Sequence, residues 1–238
     1  MRCWLRRRAY VSQTNAPSLQ VLAPMKPLAS AMTRLADVAS GPRRQALVLT
    51  MLNRVLTAAA GAVGADSCCV VGGDDVVRQS IATLGVRWAE DEGGGLNGAL
   101  LAAMGHAFAD GANAVLILPA DLPMITTDEV RAVIAASDGL TQAVGVAATR
   151  DGGTNALLIP AQYAIQPAYG VDSFARHRGL IKAAGATLLT VDAPGIAFDL
   201  DTAEELAWAE ANVEGFAADV DSWESWMQTG ARAAASPG

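Results

Sequence analysis

The chain is predicted to be an α/β domain built on parallel strands, and three observations carry that expectation. Val115 to Leu118 form a short uninterrupted apolar run, the pattern of a strand covered on both faces. Similar short runs alternate along the chain with longer stretches of helical spacing, such as Leu47, Met51, Leu52, Val55 and Leu56. The 238 residues are 52% hydrophobic and 17% charged, enough apolar material and length for one substantial core.

Residues 1–17 differ from the rest. Arg2, Arg6, Arg7 and Arg8 surround a few apolar residues, with no apolar core long enough for a secretory signal. A disordered arm is the expectation, with an RNA-binding arm as the alternative. Residues 18–23 supply the first strand, and Pro24-Met25-Lys26-Pro27 at its carboxyl end holds Lys26 in a stiff loop. Lys26 and Arg34 suit either the phosphates of a nucleotide or a solubilising face. Residues 42–60 read as a long helix with Pro42 in its first turn. A second strand over 66–71 ends in Gly72-Gly73-Asp74-Asp75, read as a turn. A third ends at Trp88 and leads into Glu90 to Asn97, where three glycines allow close backbone approach to a ligand. Asn97 is placed to read a base edge through its amide, the alternative being that this stretch is a linker. A helix over 96–109 follows.

The central run then ends in a turn bracketed by Pro119 and Pro123, with Asp121 between them. The prolines already make the turn, so the carboxylate is free for a metal or phosphate site at the sheet edge where ligands bind. Thr126 to Glu129 read as a capping box. After a strand over 142–148, Gly152-Gly153-Thr154 precede another apolar strand; this is either a plain hairpin turn or a cradle of NH groups and a hydroxyl for an anion. Tyr169-Gly170-Val171-Asp172-Ser173 opens a helix carrying Arg176, His177 and Arg178. Ser173 is either its N-cap or part of an anion site, and the three basic residues favour the anion. Strands over 187–191 and 196–198 follow. Extended geometry puts Asp199 and Asp201 on one side, where a cation relieves their repulsion, while Thr202 takes the helix-capping role. The domain is expected to span 18–215, and 216–238 to form a loosely attached tail in which Trp223 and Trp226 dock.

Composition limits the function. A net charge of −7 argues against a broad nucleic-acid face, and no apolar run looks long enough for a bilayer. Three cysteines without a CxxC pair fit a reduced, cytoplasmic setting. No Ser-His-Asp or Cys-His arrangement stands out, so nucleophilic catalysis is not indicated.

Six segments in order carry a resemblance: P-M-K-P-L-A-S-A-M-T-R-L-A (24–36), L-N-G-A-L (96–100), L-P-A-D-L-P (118–123), G-G-T-N-A-L (152–157), Y-G-V-D-S-F-A-R-H (169–177) and F-D-L-D-T-A-E-E-L (198–206). Together they resemble the 2-phospho-L-lactate and phosphoenolpyruvate guanylyltransferases of coenzyme F-420 biosynthesis. The resemblance implies a three-layer α/β/α sandwich around a mostly parallel mixed sheet, the GT-A-like nucleotidyltransferase fold. It further implies Mg²⁺ held by Asp121, Asp199 and Asp201, and contacts from Thr154, Gly170 and Ser173 to a phosphorylated acid. Lys26 and Arg34 are implied at the triphosphate, and Asn97 near the guanine. GTP and phosphoenolpyruvate, 2-phospho-L-lactate or 3-phospho-D-glycerate are the implied substrates, with a homodimer and a downstream transferase as further expected partners. One position departs from the pattern, since Met32 stands where the family usually has lysine. Molybdopterin guanylyltransferases and cytidylyltransferases usually carry an L-A-G-G loop where this chain has A-P-M-K, and a GT-A glycosyltransferase lacks a visible sugar signature here. A catalytically silent nucleotide-binding module is the remaining alternative, favoured by Met32.

Overall fold

The computed structural model describes residues 18–30 and 32–234, so the expected arm at 1–17 lies outside the described residues. The strands are β1 (Leu19–Met25), β2 (Cys68–Gly72), β3 (Arg87–Ala89), β4 (Ala114–Ile117), β5 (Ala143–Ala147), β6 (Thr154–Pro160) and β7 (Leu188–Thr190). They form one sheet in the order β3-β2-β1-β4-β6-β5-β7. Every pairing is parallel except those of β6, which runs antiparallel to both β4 and β5. The described helices are α1 (Gly41–Val63), α2 (Asp75–Ser80), α3 (Gly95–Ala109), α4 (Thr127–Ala136), α5 (Ser173–Ala183), α6 (Pro194–Ala197), α7 (Ala203–Asn212) and α8 (Phe216–Ala234). Chain progression along the sheet reverses between β1 and β4. The carboxyl ends at such a switch point open a crevice for ligands.

Alternation along the strands divides the core into layers. On β4, Ala114 and Leu116 join Val55 and Ala59 of α1 and Val130 and Val133 of α4. Val115 and Ile117 point the other way, to Leu100 and Met104 of α3 and Ile181 of α5. All four strand residues are fully buried, which is why the run has no polar member. The result is the three-layer α/β/α sandwich with a mostly parallel mixed sheet. Helix α1 is long and apolar enough to cross a bilayer by length and composition, contrary to the expectation that no run is. Here that surface is used three ways, against the sheet, α4 and α8. Thr126 and Glu129 close the capping box expected at the start of α4.

Two elements differ from expectation. Residues 196–198 do not form a strand: Pro194 starts a single helical turn, with the Ala197 N–H bonded to Ala193 O at 2.8 Å, and only Phe198 is extended. The segment after 215 is not a loose tail but a long amphipathic helix. Phe216 and Val220 are fully buried in a cluster with Leu47 and Met51 of α1 and Leu206 of α7. Ion pairs from Arg54 to Asp219 (2.6 Å) and from Arg43 to Asp221 and Glu224 pin α8 along α1. Trp223 and Trp226 meet edge to face at 5.3 Å between centroids, packing against the core as expected of them.

Candidate active site

The switch point is lined by acids. Asp121 follows β4, and its carbonyl accepts the Leu200 N–H at 3.0 Å, which locks the strand-end turn to the Asp199–Asp201 segment. Leu200 is fully buried in the α1/α7/α8 cluster, so its neighbours Asp199 and Asp201 turn outward together, as period-two geometry requires. Asp121 Oδ1 is shielded from water and has no hydrogen-bond partner. Burial pushes the Asp121 carboxyl up to about 7, and the charges of Asp199, Asp201 and Asp151 add to the shift. Burial also raises Asp199, partly offset by a hydrogen bond from Asn155 Nδ2 at 3.3 Å.

Asp201 has a different partner. Its Oδ2 lies 2.5 Å from Arg34 Nη1, with both side chains well exposed. An exposed pair of this kind contributes about 0–1 kcal/mol, so Arg34 is readily transferred to a stronger anion. Among the described residues no three His, Cys, Asp or Glu side chains yet enclose a metal position. That geometry still suits magnesium, which usually takes one or two protein carboxylates and completes its shell with phosphate oxygens and water. An orphaned buried carboxylate oxygen facing further acids is the donor set such an ion fits.

The capping box that ends the acid segment also organises it. Thr202 caps α7, leaving Asp201 out of the capping role. Burial works against the Glu205 carboxylate, but N–H groups of Asp201 and Thr202 hold it below the usual range, each 2.8 Å from Oε2. Its other oxygen pairs with Arg150 at 2.8 Å, joining the loop before β6 to the acid segment.

Beside the acids lies a second group, and β6 connects the two. Thr154 and Asn155 are adjacent and so face opposite sides of the strand. Asn155 turns to Asp199 and to Ala197 O (3.1 Å). Thr154 turns to α5, where its Oγ1 lies 3.0 Å from both Ser173 Oγ and His177 Nδ1. Ser173 is not the cap of α5, because Asp172 occupies that position in the left-handed region. Both hydroxyls are buried against each other, so neither lies on the open surface of the turn as the sequence reading placed Thr154. What the loops expose is backbone, at Gly152 and Gly170. Both have positive φ, and a Cβ at Gly170 would come within 3.2 Å of Arg176 Nη2.

Two expectations change here. Asn97, placed at the base by the sequence, uses both ends of its amide on the backbone of Tyr169. It accepts the Tyr169 N–H at 2.8 Å and donates to Tyr169 O at 3.2 Å, clamping the 169–172 loop to the start of α3. His177, read as one of three cations, is fully buried; burial, then the Arg176 charge, pushes it down to about 4, so it is neutral. On the cation side, Lys26 stands exposed at the end of β1 and Arg34 follows in a short 3-10 turn. The acidic turn after β2 does more than turn: Asp74 caps α2 and takes the Leu28 N–H at 2.8 Å, fixing the Lys26 loop. Met32 lies with Trp223 and Met227 against the core, so its apolar character matches its packing. Asp151, Asn155 and the neutral His177 were missed because their roles depend on which strands become neighbours. A separate cleft of about 350 Å³ between β3 and α3, lined by Glu90, Asp91, Glu92 and His106, has acidic walls that disfavour a polyphosphate.

Cations on one loop, acids at the switch point and exposed glycine backbone beside them suit a reaction between two phosphate-bearing molecules. Residues 19–215 match the family described as Guanylyl transferase CofC like. The phosphoenolpyruvate guanylyltransferase of Sphaerobacter thermophilus is 38% identical over 184 residues, covering 77% of this chain and 88% of that protein. That of Rubrobacter xylanophilus is 37% identical over 196 residues, covering 82% and 95%. Among solved structures, a nucleotide-diphospho-sugar transferase fold from Desulfovibrio desulfuricans superposes with a TM-score of 0.68 at 20% identity, over 88% of this chain and 97% of that one. A 4-diphosphocytidyl-2C-methyl-D-erythritol synthase gives 0.58 at 13% identity, over 82% and 98%. These two establish the nucleotidyltransferase fold, and with the family match and the relatives they lead to one conclusion: the chain belongs to the CofC-like guanylyl transferase family.

Proposed function

We propose that this guanylyltransferase joins GMP from GTP to phosphoenolpyruvate, in coenzyme F-420 biosynthesis, and hands its product to a downstream transferase. The observation that carries the chemistry is Asp121, a shielded carboxylate oxygen without a partner, surrounded by further acids at the switch point. The names of the relatives support phosphoenolpyruvate over 2-phospho-L-lactate and 3-phospho-D-glycerate.

In this reaction a phosphate oxygen of the acid attacks the α-phosphorus of GTP, and the bond from that phosphorus to the bridging oxygen breaks. Pyrophosphate departs. A phosphate monoester has its second pKa near ~6 and is already largely dianionic at neutral pH, so the chain needs no general base. Asp121, Asp199 and Asp201 would hold Mg²⁺, which when bound would supply charge neutralisation and polarisation of the phosphoryl oxygens. Lys26 and Arg34 bind and orient the triphosphate, Arg34 leaving its exposed pair with Asp201 to do so. Thr154, Gly170 and Ser173 hold the acid, positioned by the α5 start and by the Asn97 clamp.

Pyrophosphate release with GTP and Mg²⁺, measured with each of the three acids, tests the reading. Release is expected with phosphoenolpyruvate above the other two. GTP binding without release would make the chain a nucleotide sensor, and release with CTP and a sugar phosphate would move it to the cytidylyltransferases. Asn97→Ala separates clamp from base reader. The expected result is a rise of about tenfold in KM for the acid, with KM for GTP nearly unchanged, because two hydrogen bonds of about 1 kcal/mol each hold the acid-side loop. A selective rise in the GTP value would restore Asn97 to the base.

A further inference from the structure

The buried group of Thr154, Ser173 and His177 has a fixed direction of hydrogen bonding, set from one end. The Ala168 N–H lies 2.9 Å from His177 Nε2, and a backbone N–H only donates. Nε2 therefore carries no proton, and in the neutral ring the proton sits on Nδ1. Nδ1 then donates to Thr154 Oγ1 at 3.0 Å. Charging the ring would set an Nε2–H against the Ala168 N–H, which agrees with the depressed pKa of this fully buried side chain. Tyr169 packs against the ring at 4.9 Å between centroids and fixes its plane.

The protons can now be counted. Thr154 and Ser173 bring two hydroxyl protons, and one is used in the 3.0 Å bond between them. Thr154 Oγ1 accepts from His177, and Nδ1, already protonated, cannot accept the Thr154 proton in return. Whichever of the two hydroxyls donates to the other, one proton is left over, and neither hydroxyl has another acceptor among the described residues. Glycine backbone adjoins the pair: the Phe174 N–H bonds to Gly152 O (3.0 Å) and the Ser173 N–H to Gly170 O (3.1 Å). The glycines add no side chain there, so main chain alone covers this side of the buried pair.

We propose that His177 is a positioning residue for the acid substrate: by donating to Thr154 it makes the Thr154–Ser173 pair a net donor, aimed at a carboxylate or phosphate oxygen. An acceptor at position 177 would take the Thr154 proton inward while Ser173 spent its own on Thr154, leaving nothing for the ligand; with no partner there at all, the Thr154 hydroxyl loses the contact that holds it in place. This rests on the acid-binding reading of Thr154 and Ser173. It also explains why a basic residue amid Arg176 and Arg178 is buried neutral rather than offered as a charge.

The test is steady-state kinetics of pyrophosphate release with phosphoenolpyruvate and GTP for the full chain carrying His177→Leu, His177→Asn, Thr154→Val, and Thr154→Val combined with His177→Leu. His177→Leu is expected to raise KM for phosphoenolpyruvate about tenfold or more with KM for GTP unchanged, the loss of one hydrogen bond to an ionised group. His177→Asn, whose amide still donates, should recover part of that. The double variant should be no worse than Thr154→Val alone, because His177 acts through Thr154. Equal rises in both KM values, additive effects in the double variant, or an unchanged KM in His177→Leu overturn the assignment. If His177→Leu fails to fold by circular dichroism, His177→Asn alone and in the Thr154→Val background makes the same comparison. An inactive wild type would sink the acid-substrate reading itself, and the role of His177 with it; an active wild type with unaffected variants sinks only the latter.

Discussion

Asp121→Asn is expected to lower kcat by at least 10²- to 10³-fold while leaving the fold intact. Removing one preorganised electrostatic group from a phosphoryl-transfer site costs about 3–4 kcal/mol of barrier. Asparagine keeps the shape of the side chain and the backbone bond to Leu200, so structure and function separate. The same variant has an opposite effect on stability. Folding raises the Asp121 carboxyl from 3.8 to about 7, so the folded protein holds a proton that the unfolded chain releases. Its stabilising contribution is present at acid pH and is lost as pH rises through about 7. In the absence of divalent ions, Asp121→Asn should therefore be more stable than wild type at pH 8, by roughly 1–3 kcal/mol, with the gap closing toward pH 5. Magnesium should raise the melting temperature of wild type and not of the variant. Thermal scans at pH 5 and 8, with EDTA and with Mg²⁺, check all three statements. Wild-type turnover in Asp121→Asn, or an equal magnesium effect on both proteins, would end the metal assignment.

Phe216→Ala is expected to cost about 3–5 kcal/mol, the usual penalty for emptying a buried aromatic site. The ring is fully buried, with the Arg54 guanidinium 5.6 Å above it. In a chain of this size that corresponds to a fall in Tm of very roughly 6–20 °C. A loosely held tail would give less than about 0.5 kcal/mol, so urea titration distinguishes the two cleanly. The loss should reach the site as well. Leu200, between the two outward acids, belongs to the same cluster as Phe216, as do Leu35 beside Arg34 and Leu206 of α7. The helix beyond the family match at residue 215 thus supports both the acid segment and the cation loop from beneath.

Much of the fold was legible because it rests on local chemistry. The apolar run at 115–118, the boxes at Thr126 and Thr202, and the paired prolines around Asp121 each act over a few residues, and the structure shows the strand and both caps as read. Residues 196–198 misled because Ile196, Ala197 and Phe198 are apolar enough for a strand, whereas Pro194 two residues earlier starts a helical turn. Residues 216–234 misled in the other direction. Their alanines and serines look solvent-bound in isolation, and only the presence of α1 gives Phe216 and Val220 something to bury against.

By itself, then, the sequence determined the strand and helix order apart from residues 196–198 and 216–234, the outward pairing of Asp199 and Asp201 and the isolation of Asp121 in its turn, because these follow from backbone periodicity and proline geometry. Tertiary structure decided what each polar group faces. Whether Asn97 meets a base or a backbone, whether His177 is charged, and whether Asp151 and Asn155 reach the acids depend on contacts between residues tens of positions apart. Those contacts fix burial and hydrogen-bond partners, and these in turn set the charge and the direction of every donor in the site.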